Sequence, residues 1–144
     1  IAGSNPSSLP VQHVEPKVET VQTIKEDTRT KAELATSTEA YVRNYFEDTP
    51  ILAEVADCES SFRQTGSDGV IRGIKNKYDV GVMQINEKYH LKRSQTLGYD
   101  IYTLTGNLAY AKRLYEEEGT KPWKASAPCW LKSPVAANQV AISR

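Results

Sequence analysis

Apolar residues recur at helical spacing in several stretches of this chain, and one of those stripes contains a carboxylate. Tyr41, Val42, Tyr45 and Phe46 repeat with helical period behind Thr38, a residue suited to N-capping. Pro50 restarts the chain, and Thr49-Pro50 fits the start of a second helix from Ile51 to about Phe62. Wound at about 100° per residue, that segment places Ile51, Leu52, Val55, Cys58 and Phe62 on one arc. Glu54, Asp57, Ser60 and Ser61 take the opposite, solvated side, and Glu59 points into the apolar arc. Hydrocarbon around a carboxylate penalises its charged form, so the pKa rises and the group holds a proton near neutrality. A general acid requires that property.

The pattern changes between Thr65 and Asn86, where Gly66, Gly69, Gly73 and Gly81 alternate with β-branched residues. Ser67-Asp68-Gly69 reads as a turn, and Val70-Ile71 and Val80 to Ile85 as short strands of a small irregular hairpin. A helix from Glu87 to about Thr96 ends at Gly98. Asp100 is a candidate cap for the next helix, in which Ile101, Leu104, Leu108, Ala111, Leu114 and Tyr115 trace one face and Gly119 closes it. Pro122 and Pro128 break Thr120 to Trp130 into loop or short turns. The fold class is α+β, mostly α, with a small β element after the second helix.

Three zones follow. Residues 1–37, with three early prolines and no aromatic residue, have the composition of a flexible linker or stalk. Residues 38–131 form the domain, and 132–144 read as a loose C-terminal tail. The chain starts at Ile1 without a basic-then-apolar leader, as a processed form or a fragment would. No apolar run approaches the roughly 20 residues of a membrane span.

Lys and Arg number 18 and Asp and Glu 18, and no basic stripe is interleaved with aromatics, so nucleic acid is not an expected partner. Cys58 and Cys129 are the only cysteines. Bridged, they would close a loop of about 70 residues and contribute on the order of 4 kcal/mol; otherwise they are two buried thiols. Neither cysteine spacing nor His13 and His90 offers a zinc set, so no metal or other cofactor is expected.

Glu59-Ser60-Ser61-Phe62 ends a helix, Gly81-Val82-Met83-Gln84-Ile85-Asn86 follows in the β region, and Asn107 opens a long helix. Over about Thr38 to Trp130 this order resembles the SLT-type lytic transglycosylase domain of the lysozyme-like superfamily. Met83 to His90 is also similar to goose-type lysozymes. Cys58 directly before Glu59, with a tryptophan and cysteine near the end, is similar to resuscitation-promoting factors. A Glu-Ser pair alone carries no weight; followed after about 20 residues by Gly-x-Met-Gln, it is a fairly specific combination.

The resemblance implies a lysozyme-like fold and cleavage of the MurNAc-GlcNAc backbone of peptidoglycan, with Glu59 as general acid and then base. It implies substrate contacts from Ser60, Met83, Gln84, Asn86 and Asn107, a Cys58–Cys129 bridge, and a location outside the cytoplasm. The Ala-Tyr-Asn-Ala-Gly motif of SLT domains is replaced by Lys121 to Trp130, so its tyrosine has no counterpart by motif. Tyr78, Tyr110 and Trp123 are the aromatic candidates for that contact. Goose-type enzymes carry an Asp where this chain has Asn86, which removes a second carboxylate at that position.

Blander readings accompany each residue. Glu59 could pair with Arg63 one turn on, Met83 and Gln84 could belong to an ordinary buried strand, Asn107 could cap its helix, and the tryptophans could be core. His90 reads as a packed or surface histidine. Three functions are therefore expected in order: a monomeric lytic transglycosylase; a muramidase using water, with Asp68 or Asp79 as base; and a catalytically silent glycan-binding module.

Overall fold

The structure, a computed structural model, describes residues 30–142. The tether expected over 1–37 lies outside the described residues up to position 29. Helix α1 spans Lys31–Tyr45 and begins earlier than Thr38. Thr30 and Glu33 form a capping box: the Thr30 hydroxyl accepts from the Glu33 N–H at 3.2 Å, and the Glu33 carboxylate accepts from the Thr30 N–H at 2.7 Å. Thr38 is therefore not a cap. Its hydroxyl sits mid-helix and donates back to the Leu34 carbonyl at 2.9 Å.

Helix α2, Ile51–Ser60, buries Ile51, Leu52, Ala53, Val55, Ala56 and Ser60. It stops two residues short of Phe62 because Ser61 and Phe62 turn left-handed, with φ of 52° and 57°. The reversal swings the Phe62 ring back into the core, where the Arg43 guanidinium covers it at 5.0 Å.

Two small antiparallel hairpins follow where one was expected. Strands β1 (Thr65–Gly66) and β2 (Gly69–Val70) form the first; β3 (Asp79–Val80) and β4 (Ile85–Asn86) form the second. A single bridge, Arg72 to Val80, connects the two regions. The run Val80 to Ile85 is thus a turn between two strand ends, not one strand. Gly81 at φ 75° and Gln84 at φ 49° reverse it.

Helix α3 is Glu87–Thr96, capped by the Asn86 side chain. Helix α4, Leu104–Glu118, is capped by Thr103 rather than Asp100, whose carboxylate instead accepts from the Tyr102 N–H. The proline-containing stretch after it is more ordered than a loop: a kinked 3-10 segment, Lys121–Ser126, leads into the single turn of α5, Ala127–Trp130. Residues Pro134–Ile142 form helix α6, so the C-terminal end is not a loose tail. Ser133 accepts from the Ala136 N–H, Pro134 takes the first helical position, and Ala136 is buried in the core.

The domain is α+β and mostly α. Its core joins α1, α2, α4 and the second hairpin through Val42, Phe46, Leu52, Val55, Val80, Val82, Met83, Leu108, Ala111 and Leu114. Cys58 and Cys129 are bridged, tying α2 to α5 across 71 positions of sequence. A loop of that length gives about 4 kcal/mol by chain entropy. Among the described residues no helix is long and apolar enough to cross a membrane.

Candidate active-site groove

An open groove of about 1060 Å³ runs between the end of α2, the two hairpins and the segment before α5. Glu59, Arg63, Ser67, Asp68, Arg72, Lys75, Asn76, Asp79, Gln84 and Ser126 supply its polar lining. Glu59 is half-buried, and its Oε1 accepts from the Ser126 hydroxyl at 2.6 Å. It does not pair with Arg63, whose Nε donates to the Ser60 carbonyl at 3.0 Å. Burial is the main force raising the Glu59 pKa above the ordinary glutamate value; the Ser126 hydrogen bond pulls it down, and the nearby negative charge of Asp79 pushes it up.

The Gly-Val-Met-Gln turn, whose Gln84 lines the groove, is anchored from behind by amide side chains. Val82 N–H donates to Gln64 Oε1 at 2.8 Å, and Met83 N–H donates to Asn107 Oδ1 at 2.9 Å. Asn107 Nδ2 in turn donates to the carbonyls of Val80 and Ile101, at 3.0 and 2.8 Å. Ser60 Oγ lies 2.7 Å from the Val82 carbonyl, which joins α2 to the same turn. Gly81 is required here: a Cβ would fall 2.5 Å from Asn107 Nδ2 and 2.7 Å from Gln64 Oε1, at a φ that L side chains rarely adopt.

These contacts redistribute the expected substrate-facing residues. Glu59 and Gln84 line the groove together, with Gln84 Nε2 bonded to the Gly81 carbonyl at 2.9 Å. Met83, Asn107 and Tyr110 are each 0% exposed, and Ser60 and Trp123 are also buried, so their sugar contacts are corrected to structural ones. The Tyr110 hydroxyl pairs with His90 Nδ1 at 2.8 Å, and Trp123 Nε1 donates to the Met83 carbonyl at 2.9 Å. Ser60 was expected on the solvated side of α2; its bond to the turn draws it inside. Tyr78 is exposed but lies outside the groove lining, flanked by Lys77 and Lys88. Asn86 stands behind the site, donating to Asp79 Oδ1 at 2.8 Å while it caps α3.

Ser126 and Gln64 are the site residues that sequence patterns missed. Gln64 carries no motif; its role exists only once the turn is folded over it. Ser126 is foreshadowed only by Cys129, because a bridge to the residue before Glu59 draws the preceding turn onto that carboxylate. Among the described residues no group of three or more His, Cys, Asp or Glu side chains is gathered as a metal site. No protein-family model, curated protein or solved structure matches this chain.

Proposed function

We propose that this domain is a peptidoglycan lytic transglycosylase that cleaves the MurNAc-GlcNAc bond with Glu59 as its single acid and base. The observation that carries the reading is a carboxyl group set in the wall of an open groove, raised in pKa by burial and held by one hydrogen bond among the described residues. A carboxyl whose pKa is raised holds its proton to higher pH and delivers it to the glycosidic oxygen as the bond breaks. The substrate's N-acetyl group assists the oxocarbenium-like centre. Glu59, now ionised, accepts the proton of the MurNAc 6-hydroxyl as that oxygen closes on C1. The product is a 1,6-anhydro sugar, and no water is consumed. Gln84 presents a groove-facing amide to the glycan. The Cys58–Cys129 bridge suits an oxidising location outside the cytoplasm.

A second reading is favoured by Asp79, a second carboxylate lining the same groove and close enough for its charge to act on Glu59. If Asp79 activates water, the enzyme is a muramidase with the same acid. The test is lysis of purified peptidoglycan followed by mass spectrometry of the released muropeptides. Wild-type protein yields products lighter by one water than hydrolytic ones, and Glu59→Gln loses lysis while remaining folded and glycan-binding. Lysis retained by Glu59→Gln defeats both readings; products of full hydrolytic mass select the muramidase.

A further inference from the structure

A hydroxyl group has one proton, and that of Ser126 faces two acceptors. Its Oγ lies 2.6 Å from Glu59 Oε1 and 3.1 Å from the Trp123 carbonyl oxygen. The Trp123 carbonyl already accepts from Trp130 Nε1 at 3.1 Å, and the Trp123 ring is fixed by its own bond to the Met83 carbonyl. A carboxylate is the stronger acceptor, and 2.6 Å falls in the range of charge-assisted O–H···O bonds. The Ser126 proton therefore belongs to Glu59.

The other carboxyl oxygen is in a different situation. Glu59 Oε2 has no hydrogen-bond partner among the described residues, and no partnerless side-chain oxygen or nitrogen among them is fully buried. Oε2 is thus open, on a residue that lines the groove. We infer that Ser126 is a positioning residue: by donating to Oε1 it reserves that oxygen as an acceptor and places the transferable proton of Glu59 on Oε2. Without it the carboxyl is free to flip about its terminal torsion and to hold the proton on the side away from the groove. Ser126 neither gains nor loses a proton in the cycle. The proton leaves Oε2 for the glycosidic oxygen and returns to Glu59 from the 6-hydroxyl.

The inference rests on the transglycosylase reading for its kinetic part only; the pairing itself has an independent readout. Arg63, Asp68, Arg72, Lys75 and Asp79 line the same groove and form a charge background common to every variant. The Glu59 carboxyl, followed by carbon-13 NMR against pH, titrates at higher pH in Ser126→Ala than in wild type, because the ionised form loses its donor. On soluble glycan strands Ser126→Ala loses about tenfold or more in kcat with KM within about twofold, and Ser126→Thr, which keeps the hydroxyl, restores both properties. An unmoved Glu59 titration in folded Ser126→Ala overturns the inference, as does a folded Ser126→Thr that behaves like the alanine variant. A shifted titration in a protein whose wild type releases no muropeptide supports the Ser126–Glu59 pairing and removes the glycosidase reading instead.

Discussion

Two sets of polar side chains meet at the Gly81–Gln84 turn, and they are partnered in opposite ways. On the interior side, Gln64 and Asn107 spend their side-chain atoms on backbone groups of the turn and its neighbours, Gln64 Nε2 also reaching the Tyr102 carbonyl at 3.0 Å. On the groove side, Glu59 has one side-chain hydrogen bond among the described residues, a pKa raised mainly by burial, and an open oxygen. A satisfied buried amide contributes rigidity and has nothing left for a ligand. A charge-bearing group left under-partnered beside a cleft costs stability and retains reactivity. The comparison separates amides committed to the fold from a carboxyl left open to the groove, although Glu59 and Asn107 fall inside the same sequence signature.

The interior set is where substitution has its largest effect. Asn107→Ala leaves the Met83 N–H and the Val80 and Ile101 carbonyls without their amide partner in a buried setting, at a cost of roughly 3 kcal/mol or more. Against a domain stability of about 5–15 kcal/mol that is a large fraction. Urea unfolding followed by circular dichroism measures it. A loss below about 1 kcal/mol would mean that water or a shifted carbonyl replaces the amide, and the division drawn between the two sides of the turn would fail.

Sequence periodicity located much of this architecture because the helices bury regular faces. The Ile51 helix and the Glu87–Thr96 helix begin where expected, and the apolar face of α4 packs as its spacing indicates. Starts and ends were less legible. Thr30 and Glu33 form a capping box that extends α1 into a segment of linker-like composition, and Ser133-Pro134 starts a helix in what read as a tail. Both signals are present in the residues, but the surrounding polar composition outweighed them.

Of the residues that line the groove, the sequence pointed to Glu59 and Gln84 by motif and to Asp68 and Asp79 as candidate bases. Motif membership did not distinguish a side chain that faces the groove from one that supports it. Met83, Asn107, Tyr110 and Trp123 could be placed only by the fold, since each is committed by a hydrogen bond or by burial to a partner distant in sequence.

Gln84 sharpens the comparison, because it is an amide in the same turn but on the groove side. Its only hydrogen bond among the described residues is local, to the Gly81 carbonyl, and it is half-buried. Gln84→Ala is therefore expected to cost about 1 kcal/mol or less, well under the Asn107 loss, while weakening the retention of soluble glycan strands in affinity electrophoresis. Equal destabilisation by the two alanines would place Gln84 among the structural amides.

The smallest effect expected is a gain. The folded state holds Glu59 at a raised pKa, so it binds more protons than the unfolded chain between the ordinary glutamate range and that raised value. Stability tied to this group is fully present below the unfolded pKa and is lost as pH climbs through the folded one. Glu59→Gln keeps the shape and an acceptor for Ser126 but never ionises. Wild type and variant should therefore unfold alike under acid conditions, and the variant should become the more stable as pH rises from the ordinary glutamate range through the raised folded-state pKa. Because Glu59 is only half-buried and the groove is open to solvent, the gain stays below about 1 kcal/mol. Paired urea titrations across the pH range measure the difference directly. A gap that is constant with pH would show that desolvation does not set the state of Glu59, and the carboxyl would then belong with the satisfied amides rather than opposite them.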